Sequence, residues 1–137
     1  MALGNLLYEE KGKQLSARAV DLVEPTAEIS GMGTMKYQDV NVKTHWTISV
    51  KLVQNGVSYA QGRGIISAEN NEVATYSING ITKPNTSGGG SSSRGVSTFR
   101  TTLHNGGKLS QLNDLVAVYE LEHVNDGNYT AKIWEWK

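Results

Sequence analysis

The sequence predicts an all-β protein: a single antiparallel barrel of about eight strands, closed or nearly closed, with at most one short helical turn. Two observations carry this prediction. Short segments rich in Val, Ile, Thr and Tyr alternate apolar and polar residues with a period of two, and glycine-rich or Asn-Gly turns separate them. An open sheet of about eight strands would leave exposed edges, and closure removes them.

The predicted strands follow one another with short connections along residues 1–137, which we take as one domain. One or two strands around Gly12 are predicted at 6–22, and the others at 27–36, 40–53, 57–68, 73–82, 94–103, 115–124 and 128–137. Residues 83–93, which contain the run from Gly88 to Ser93, are predicted to form a flexible loop. A helical turn is predicted at 109–112.

The Asn55-Gly56 dipeptide predicts which residues of two neighbouring strands face each other. Asn-Gly between alternating runs indicates a two-residue hairpin turn, because both turn positions require positive φ. A regular ladder from this turn gives the pairs Leu52–Tyr59, Val50–Gln61, Ile48–Arg63 and Trp46–Ile65. Since the first member of each pair belongs to an apolar face, Gln61 and Arg63 are expected inside the barrel. A second two-residue turn, at 70–71, agrees by pairing Arg63 with Ile78.

An inward Arg63 has three interpretations, because a buried guanidinium is costly unless it is paired. A bulge at the flanking Gly62 or Gly64 would return the side chain to solvent. An ion pair with a Glu from another strand would make it structural. A pocket would let it bind a carboxylate, enolate or phosphate, since its fork is bidentate.

The third interpretation defines a candidate site inside the barrel. Its ligand-binding residues are Trp46, Tyr59, Gln61, Arg63 and Tyr76, with aromatic walls and two polar anchors. Gly31 and Gly33 lie on the apolar face of their strand. They either leave space for a ligand or permit the coiling that a small barrel needs.

The last two predicted strands carry a candidate surface for self-association. A three-residue loop at 125–127 places Glu120 opposite Lys132 and puts Gly127 in the left-handed region. This register gathers an apolar outer patch of Val116, Val118, Trp134 and Trp136. Such a patch exceeds what a monomer usually exposes, so a homo-oligomer is expected. A two-residue loop would instead move both Trp side chains to the face of Tyr119.

Composition excludes several classes of function. The 13 Lys and Arg balance the 13 Asp and Glu, so no nucleic-acid partner is expected. The chain has no Cys, and His45, His104 and His123 lack the spacing of metal ligands, so neither a metal site nor a cofactor is expected. No apolar window approaches about 20 residues and the start is not a signal peptide, which predicts a cytoplasmic protein without a membrane partner. No motif assigns a catalytic residue.

Four segments resemble a family of small, uncharacterised prokaryotic β-barrel proteins. They are the start MALGNLLYEE, the middle YAQGRG from Tyr59, KLSQLN from Lys108 and the end KIWEWK from Lys132. The resemblance covers nearly the whole chain, although the run from Gly88 to Ser93 departs from it. In architecture the chain is similar to allene oxide cyclase and lipocalin-like (calycin) barrels. No catalytic residue of a cyclase matches, so the resemblance implies a fold and no activity.

Three functions remain open. The first is a barrel that binds a small, partly apolar or anionic ligand in its interior. The second is an isomerase or cyclase in which Arg63 stabilises a developing anion. The third is a structural or assembly protein whose barrel is filled by its own side chains.

Overall fold

A computed structural model describes residues 3–86, 89–101 and 107–137, with Asn125 described by its backbone alone. Eight antiparallel strands form a closed barrel in sequence order, and the first strand pairs with the last. The strands are β1 (Leu3–Asp21), β2 (Thr26–Tyr37), β3 (Val40–Gln54), β4 (Val57–Ala68), β5 (Val73–Pro84), β6 (Ser91–Thr101), β7 (Val116–His123) and β8 (Asn128–Trp136). One 3₁₀ turn lies at Lys108–Leu112, and the loop Asn125–Gly127 has positive φ at Asp126 and Gly127. The predicted fold class is confirmed.

Several strands extend beyond their predicted bounds. β1 is one continuous strand through Gly12. The loop predicted at 83–93 is shorter than expected, because Lys83 pairs with Ser92 and Pro84 with Ser91. Serine is compatible with this strand pairing because its hydroxyl forms hydrogen bonds with side chains of the neighbouring strand. One example is the 2.6 Å hydrogen bond between Ser93 Oγ and Thr82 Oγ1. Gly88 and His104 lie outside the described residues.

The two ends of the barrel differ. One end carries the β2–β3, β4–β5 and β6–β7 connections and is packed by the 3₁₀ turn Lys108–Leu112, whose Leu109 and Leu112 are buried. The core cluster at this end includes Met35, Tyr37, Val42, Ile66, Ala74 and Phe99. The β1–β2, β3–β4, β5–β6 and β7–β8 connections lie at the other end. No helix in the described part of the chain has the length and apolar character needed to cross a membrane.

The register of β3 with β4 differs from the predicted one by one residue. The Asn55-Gly56 turn forms as expected, with φ of 56° and 77° and with Gln54 opposite Val57. Val53 then forms a bulge, so that Leu52 lies opposite Ser58 and not opposite Tyr59. One extra residue in a strand exchanges its two faces, because successive side chains alternate.

The register of β4 with β5 is also shifted by one. The connection is a three-residue loop, closed by the 3.0 Å hydrogen bond from Ala68 N to Glu72 O, with Asn71 at φ 68°. Arg63 therefore lies opposite Ser77, whereas the predicted two-residue turn paired it with Ile78. The predicted register of β3 with β4 and that of β4 with β5 agreed with each other because each left one residue out of a connection: Val53 in the first, and one residue of the three-residue loop in the second.

The bulge at Val53 places Tyr59, Gln61 and Arg63 on the outer face of the barrel. All three are exposed. The inward face of β4 carries Ser58, Ala60, Gly62, Gly64 and Ile66 instead. The predicted interior positions of Tyr59, Gln61 and Arg63 are therefore wrong. A bulge does return Arg63 to solvent, but it lies at Val53 and not at Gly62 or Gly64.

Aromatic side chains occupy the space above inward-facing glycines. A Cβ added at Gly31 would overlap the Trp46 indole, and one added at Gly64 would overlap the Tyr76 ring. Because the rings fill this space, Gly31 does not provide free volume for a ligand. Its absent side chain instead lets the Trp46 indole pack closely against the backbone of β2.

The C-terminal hairpin has the predicted register. A three-residue loop places Glu120 opposite Lys132 and Val118 opposite Trp134, and Gly127 has φ 78°. Tyr119, Ala131 and Ile133 are buried on the inner face. Val116 and Trp136 are exposed on the outer face, as expected.

Candidate functional site

The half of the barrel away from the 3₁₀ turn Lys108–Leu112 contains a cavity of about 410 Å³. This volume falls in the range of about 300–1,000 Å³ typical of small-molecule sites. All eight strands contribute to its wall, which is mainly apolar. Its aliphatic members include Ile29, Ile48, Val50, Ala60, Ile78, Leu121 and Ile133, and its aromatic members are Tyr8, Trp46, Tyr76 and Tyr119.

Hydroxyl groups and one imidazole supply polar character to the same wall. The hydroxyl side chains are Ser58, Thr82, Ser91, Ser93 and Ser97. His123 lies at the end of β7, beside the β7–β8 connection. Burial lowers the pKa of His123, and the neighbouring Glu122 opposes part of this shift. Burial therefore favours the neutral form of the imidazole.

A carboxyl group, Glu10, forms part of the inner wall. It lies on β1 opposite Met35 of β2 and Ala131 of β8, and it is 6% exposed. The Tyr129 hydroxyl donates a hydrogen bond to Glu10 Oε2. Trp46 Nε1–H donates in turn to the Tyr129 hydroxyl at 2.8 Å. These three side chains form a chain of hydrogen bonds that ends on the carboxyl.

The electrostatic environment of Glu10 favours its neutral form. Burial raises the pKa of Glu10 to about 7, although the hydrogen bond from Tyr129 lowers it in part. None of the described residues that line the cavity is Lys or Arg. Within this described lining, Glu10 and His123 are the ionisable groups apart from tyrosines.

The second oxygen of Glu10 faces the cavity. No described residue donates a hydrogen bond to Oε1 or forms an ion pair with it. In the described part of the chain, no side-chain oxygen or nitrogen is both sealed from solvent and without a partner. Oε1 is therefore in contact with the cavity, where a ligand or water can donate to it.

Close packing fixes the position of the Glu10–Tyr129 pair. A Cβ added at Gly33 would lie 2.6 Å from both Glu10 Oε2 and the Tyr129 hydroxyl. Trp46 packs edge-on against Tyr129, with ring centroids 5.7 Å apart. The pair therefore has little room to move toward the wall, and the carboxyl stays directed at the cavity.

Two of the five sequence-predicted site residues lie in the cavity wall. Trp46 and Tyr76 are buried there, and Tyr76 shares a 2.6 Å hydrogen bond with Thr44 Oγ1. Tyr59, Gln61 and Arg63 are on the outside of the barrel, where Tyr59 lies opposite Ile81. The structure therefore does not bring the five residues together.

Glu10 is the functional group that sequence reasoning missed, although the sequence contains a signal for it. Glu9, Lys11 and Lys13 are charged and alternate along β1, which is typical of a solvent-facing row. Glu10 lies out of phase with that row, on the same face as Tyr8. A carboxyl that shares a face with apolar residues is a candidate buried acid.

The histidines and carboxylates do not form a metal centre in the described ranges. No group of three or more of these side chains is close enough to hold an ion. His45 is exposed on the outer face of β3. The arrangement is instead suited to binding a small molecule or to moving a proton at Glu10.

Comparison with known proteins identifies the fold. A β-barrel-like protein from Acinetobacter baumannii AYE superposes with a TM-score of 0.80 at 12% identity, over 99% of this chain and 96% of that one. A protein of unknown function from Clostridium acetobutylicum ATCC 824 gives 0.79 at 13% identity over 100% of both chains. A conserved protein of unknown function from Rhodopseudomonas palustris gives 0.78 at 9% identity over 98% of both.

At these identities the comparison establishes the barrel alone. No protein-family model matches the chain, and no curated protein matches it. The expected resemblance to uncharacterised bacterial barrels is confirmed at the level of the fold. It transfers no activity, since one fold carries many functions.

Proposed function

We propose that this protein binds a small, partly apolar molecule inside its barrel. The observation that carries the proposal is the cavity of about 410 Å³, whose mainly apolar wall contains one carboxyl with an oxygen open to it. Apolar pockets with a few placed polar groups are the usual form of small-molecule sites. Glu10 is the polar anchor of this site, in place of Gln61 and Arg63.

A matched pair of substitutions tests whether the cavity is the binding site. Ile78→Trp fills the cavity from β5, whereas Ile65→Trp adds the same side chain to the outer face of β4. We expect wild type and Ile65→Trp to bind the neutral probe phenylbutanol equally in isothermal titration calorimetry. Ile78→Trp is expected to bind it at least about tenfold more weakly, because the wall can no longer enclose the phenyl ring. Equal binding by both variants would place the site elsewhere and contradict the proposal.

A second candidate is an isomerase or cyclase that uses the same cavity. Glu10 favours it, because a carboxyl with a pKa of about 7 exchanges a proton readily near neutral pH. The Tyr129 hydroxyl, held by Trp46, would stabilise the Glu10 carboxylate before it takes a proton from the substrate and after it returns that proton. Arg63 takes no part, since it lies outside. Loss of turnover in Glu10→Gln with ligand binding retained would favour this candidate over simple binding, once a substrate is found.

We also propose a second copy of this chain as partner of the outer face of β6, β7, β8 and β1. Adjacent positions on these four strands carry an apolar row of Val96, Val118, Trp134 and Leu6, which Val116 and Trp136 extend. The next row along the strands carries Arg94, Glu120, Lys132 and Glu9, with alternating sign. A two-fold axis parallel to the strands would place the apolar row of one copy on the apolar row of the other. It would also reverse the order of the charged side chains of the second copy relative to those of the first. Every positive side chain would then face a negative one.

Charge reversal on the outer face tests this dimer. Because such an axis places Glu120 opposite Lys132 of the second copy, Glu120→Lys is expected to weaken the dimer about tenfold or more in analytical ultracentrifugation. Glu120→Lys combined with Lys132→Glu restores the complementary order and is expected to restore association. A wild-type protein that stays monomeric at high concentration, or a double variant that stays as weak as the single one, would contradict the proposal.

Location and the remaining partners stay predictions from the sequence. The sequence predicts that the protein is cytoplasmic and that it has neither a nucleic-acid partner nor a membrane partner. Cell fractionation tests the first, and a filter-binding assay with duplex DNA tests the second.

A further inference from the structure

We propose that the ligand of the barrel is an organic cation, an amine with an apolar body, held by Glu10 and the aromatic rings around it. This inference rests on the proposed binding function and names the class of its ligand. It replaces the anionic ligand that an inward Arg63 implied.

The charge of the cavity wall selects against anions. Among the described residues of the lining, Glu10 is the one acidic group, and none is Lys or Arg. Burial favours the neutral form of His123, the other ionisable side chain apart from tyrosines in the described lining, so the imidazole is poorly suited to pair with an anion. A carboxylate ligand would bring a second negative charge toward Glu10 at low dielectric, which is strongly unfavourable.

A cation removes the cost that burial imposes on Glu10. A buried carboxylate with no opposite charge is destabilised, and pairing with hydrogen bonds relieves it. Oε2 already accepts from Tyr129, while Oε1 is open to the cavity. An ammonium group at Oε1 would donate a charge-assisted hydrogen bond and leave the Tyr129 contact intact.

The aromatic residues beside Glu10 suit the same ligand. Burial raises the pKa values of Tyr8 and Tyr76, and the charge of the nearby Glu10 carboxyl raises them further. Trp46 is joined to Glu10 through the Tyr129 hydroxyl and also lines the cavity. Ring faces attract cations, and the attraction grows where water is excluded. The aliphatic side chains farther along the wall would cover the apolar body of the amine.

Three probes that share one skeleton test the ligand class. They are phenylbutylamine, phenylbutanol and phenylbutyrate, titrated into the full chain near pH 8 by isothermal titration calorimetry. We expect the amine to bind about tenfold or more tightly than the alcohol, as a charge-assisted hydrogen bond implies. The acid is expected to bind most weakly.

Two carboxyl variants separate the role of Glu10 from that of net charge. Glu10→Gln is expected to bind amine and alcohol with equal affinity. Glu9→Gln removes the same charge from the adjacent, exposed side chain, and it is expected to keep the preference of wild type. Glu10→Gln keeps an acceptor for Tyr129, so it is expected to fold.

Different results overturn different claims. Alcohol or acid binding as tightly as amine to wild type would overturn the cation and leave the binding barrel standing. A preference for the amine that persists in Glu10→Gln, or that disappears in Glu9→Gln, would also overturn it. Failure of all three probes to bind would overturn both this inference and the proposed function.

Discussion

Wild-type protein is expected to lose about 3 kcal/mol of unfolding free energy, relative to Glu10→Gln, as the pH rises from about 4 to about 8. The pKa of Glu10 is about 7 in the folded state, against 4.5 for an unperturbed Glu. Because the folded state keeps its proton to higher pH, stability from this group is full below about pH 4.5 and is lost as pH rises through about 7. Each unit of pKa difference corresponds to about 1.4 kcal/mol.

Urea unfolding at about pH 4, 6 and 8 measures this effect. Glu10→Gln does not titrate at this position, so the difference between its curve and that of wild type isolates the group. Glu9→Gln is the control, because Glu9 is exposed and lies 4.0 Å from Lys132 in a surface ion pair of small energy. If wild type and Glu10→Gln keep a constant difference across this pH range, Glu10 is not a buried acid.

Replacing Gly64 with Ala is expected to cost about 2–3 kcal/mol of unfolding free energy. The new Cβ would overlap the ring of Tyr76, which the stacked Phe99 at 5.6 Å and the hydrogen bond to Thr44 hold in place. Adding a methyl group to a well-packed interior forces side chains out of their preferred rotamers, at a cost of this size. The loss is read from the midpoint of urea unfolding at constant slope.

A double-mutant cycle identifies the cause of that loss. Tyr76→Leu removes the ring that the Cβ would overlap, so Gly64→Ala is expected to cost much less in that background. If the two substitutions were instead additive, the cost of Gly64→Ala would come from the backbone. The position of the Tyr76 ring would then not depend on the absence of a side chain at Gly64.

Most of the fold follows from local patterns in the sequence. The alternation of apolar and polar residues in β3 predicts which of its side chains face inward. The inward position of Trp46 therefore follows from the sequence of its own strand. The C-terminal register followed from a three-residue turn with a left-handed Gly127. Such features depend on neighbours in sequence, and the sequence displays them directly.

The register across the Asn55-Gly56 hairpin could not be predicted in the same way. Val53 is an ordinary β-branched residue between Leu52 and Gln54, and nothing local marks it as a bulge. Because successive side chains of a strand point to opposite faces, this single extra residue exchanges the inner and outer faces along all of β4. For this reason all three of the side chains predicted inside on β4 lie outside: Tyr59, Gln61 and Arg63.

The candidate site depends on contacts that are distant in sequence. Tyr129 lies 119 positions from Glu10, and only closure of β1 onto β8 brings them together. Tyr76 was predicted in the wall because the apolar residues of its strand mark the inner face. Glu10 carries a weak periodic signal, and its partners become visible only after the barrel closes.

Carbon-13 NMR of the Glu10 side-chain carboxyl, followed as a function of pH, tests whether Glu10 lies in the interior and faces a cavity that a small molecule enters. We predict a midpoint near pH 7 in the free protein and a lower midpoint when phenylbutylamine is bound. A midpoint near pH 4.5 that the amine leaves unchanged would mean that Glu10 faces water and would contradict the account.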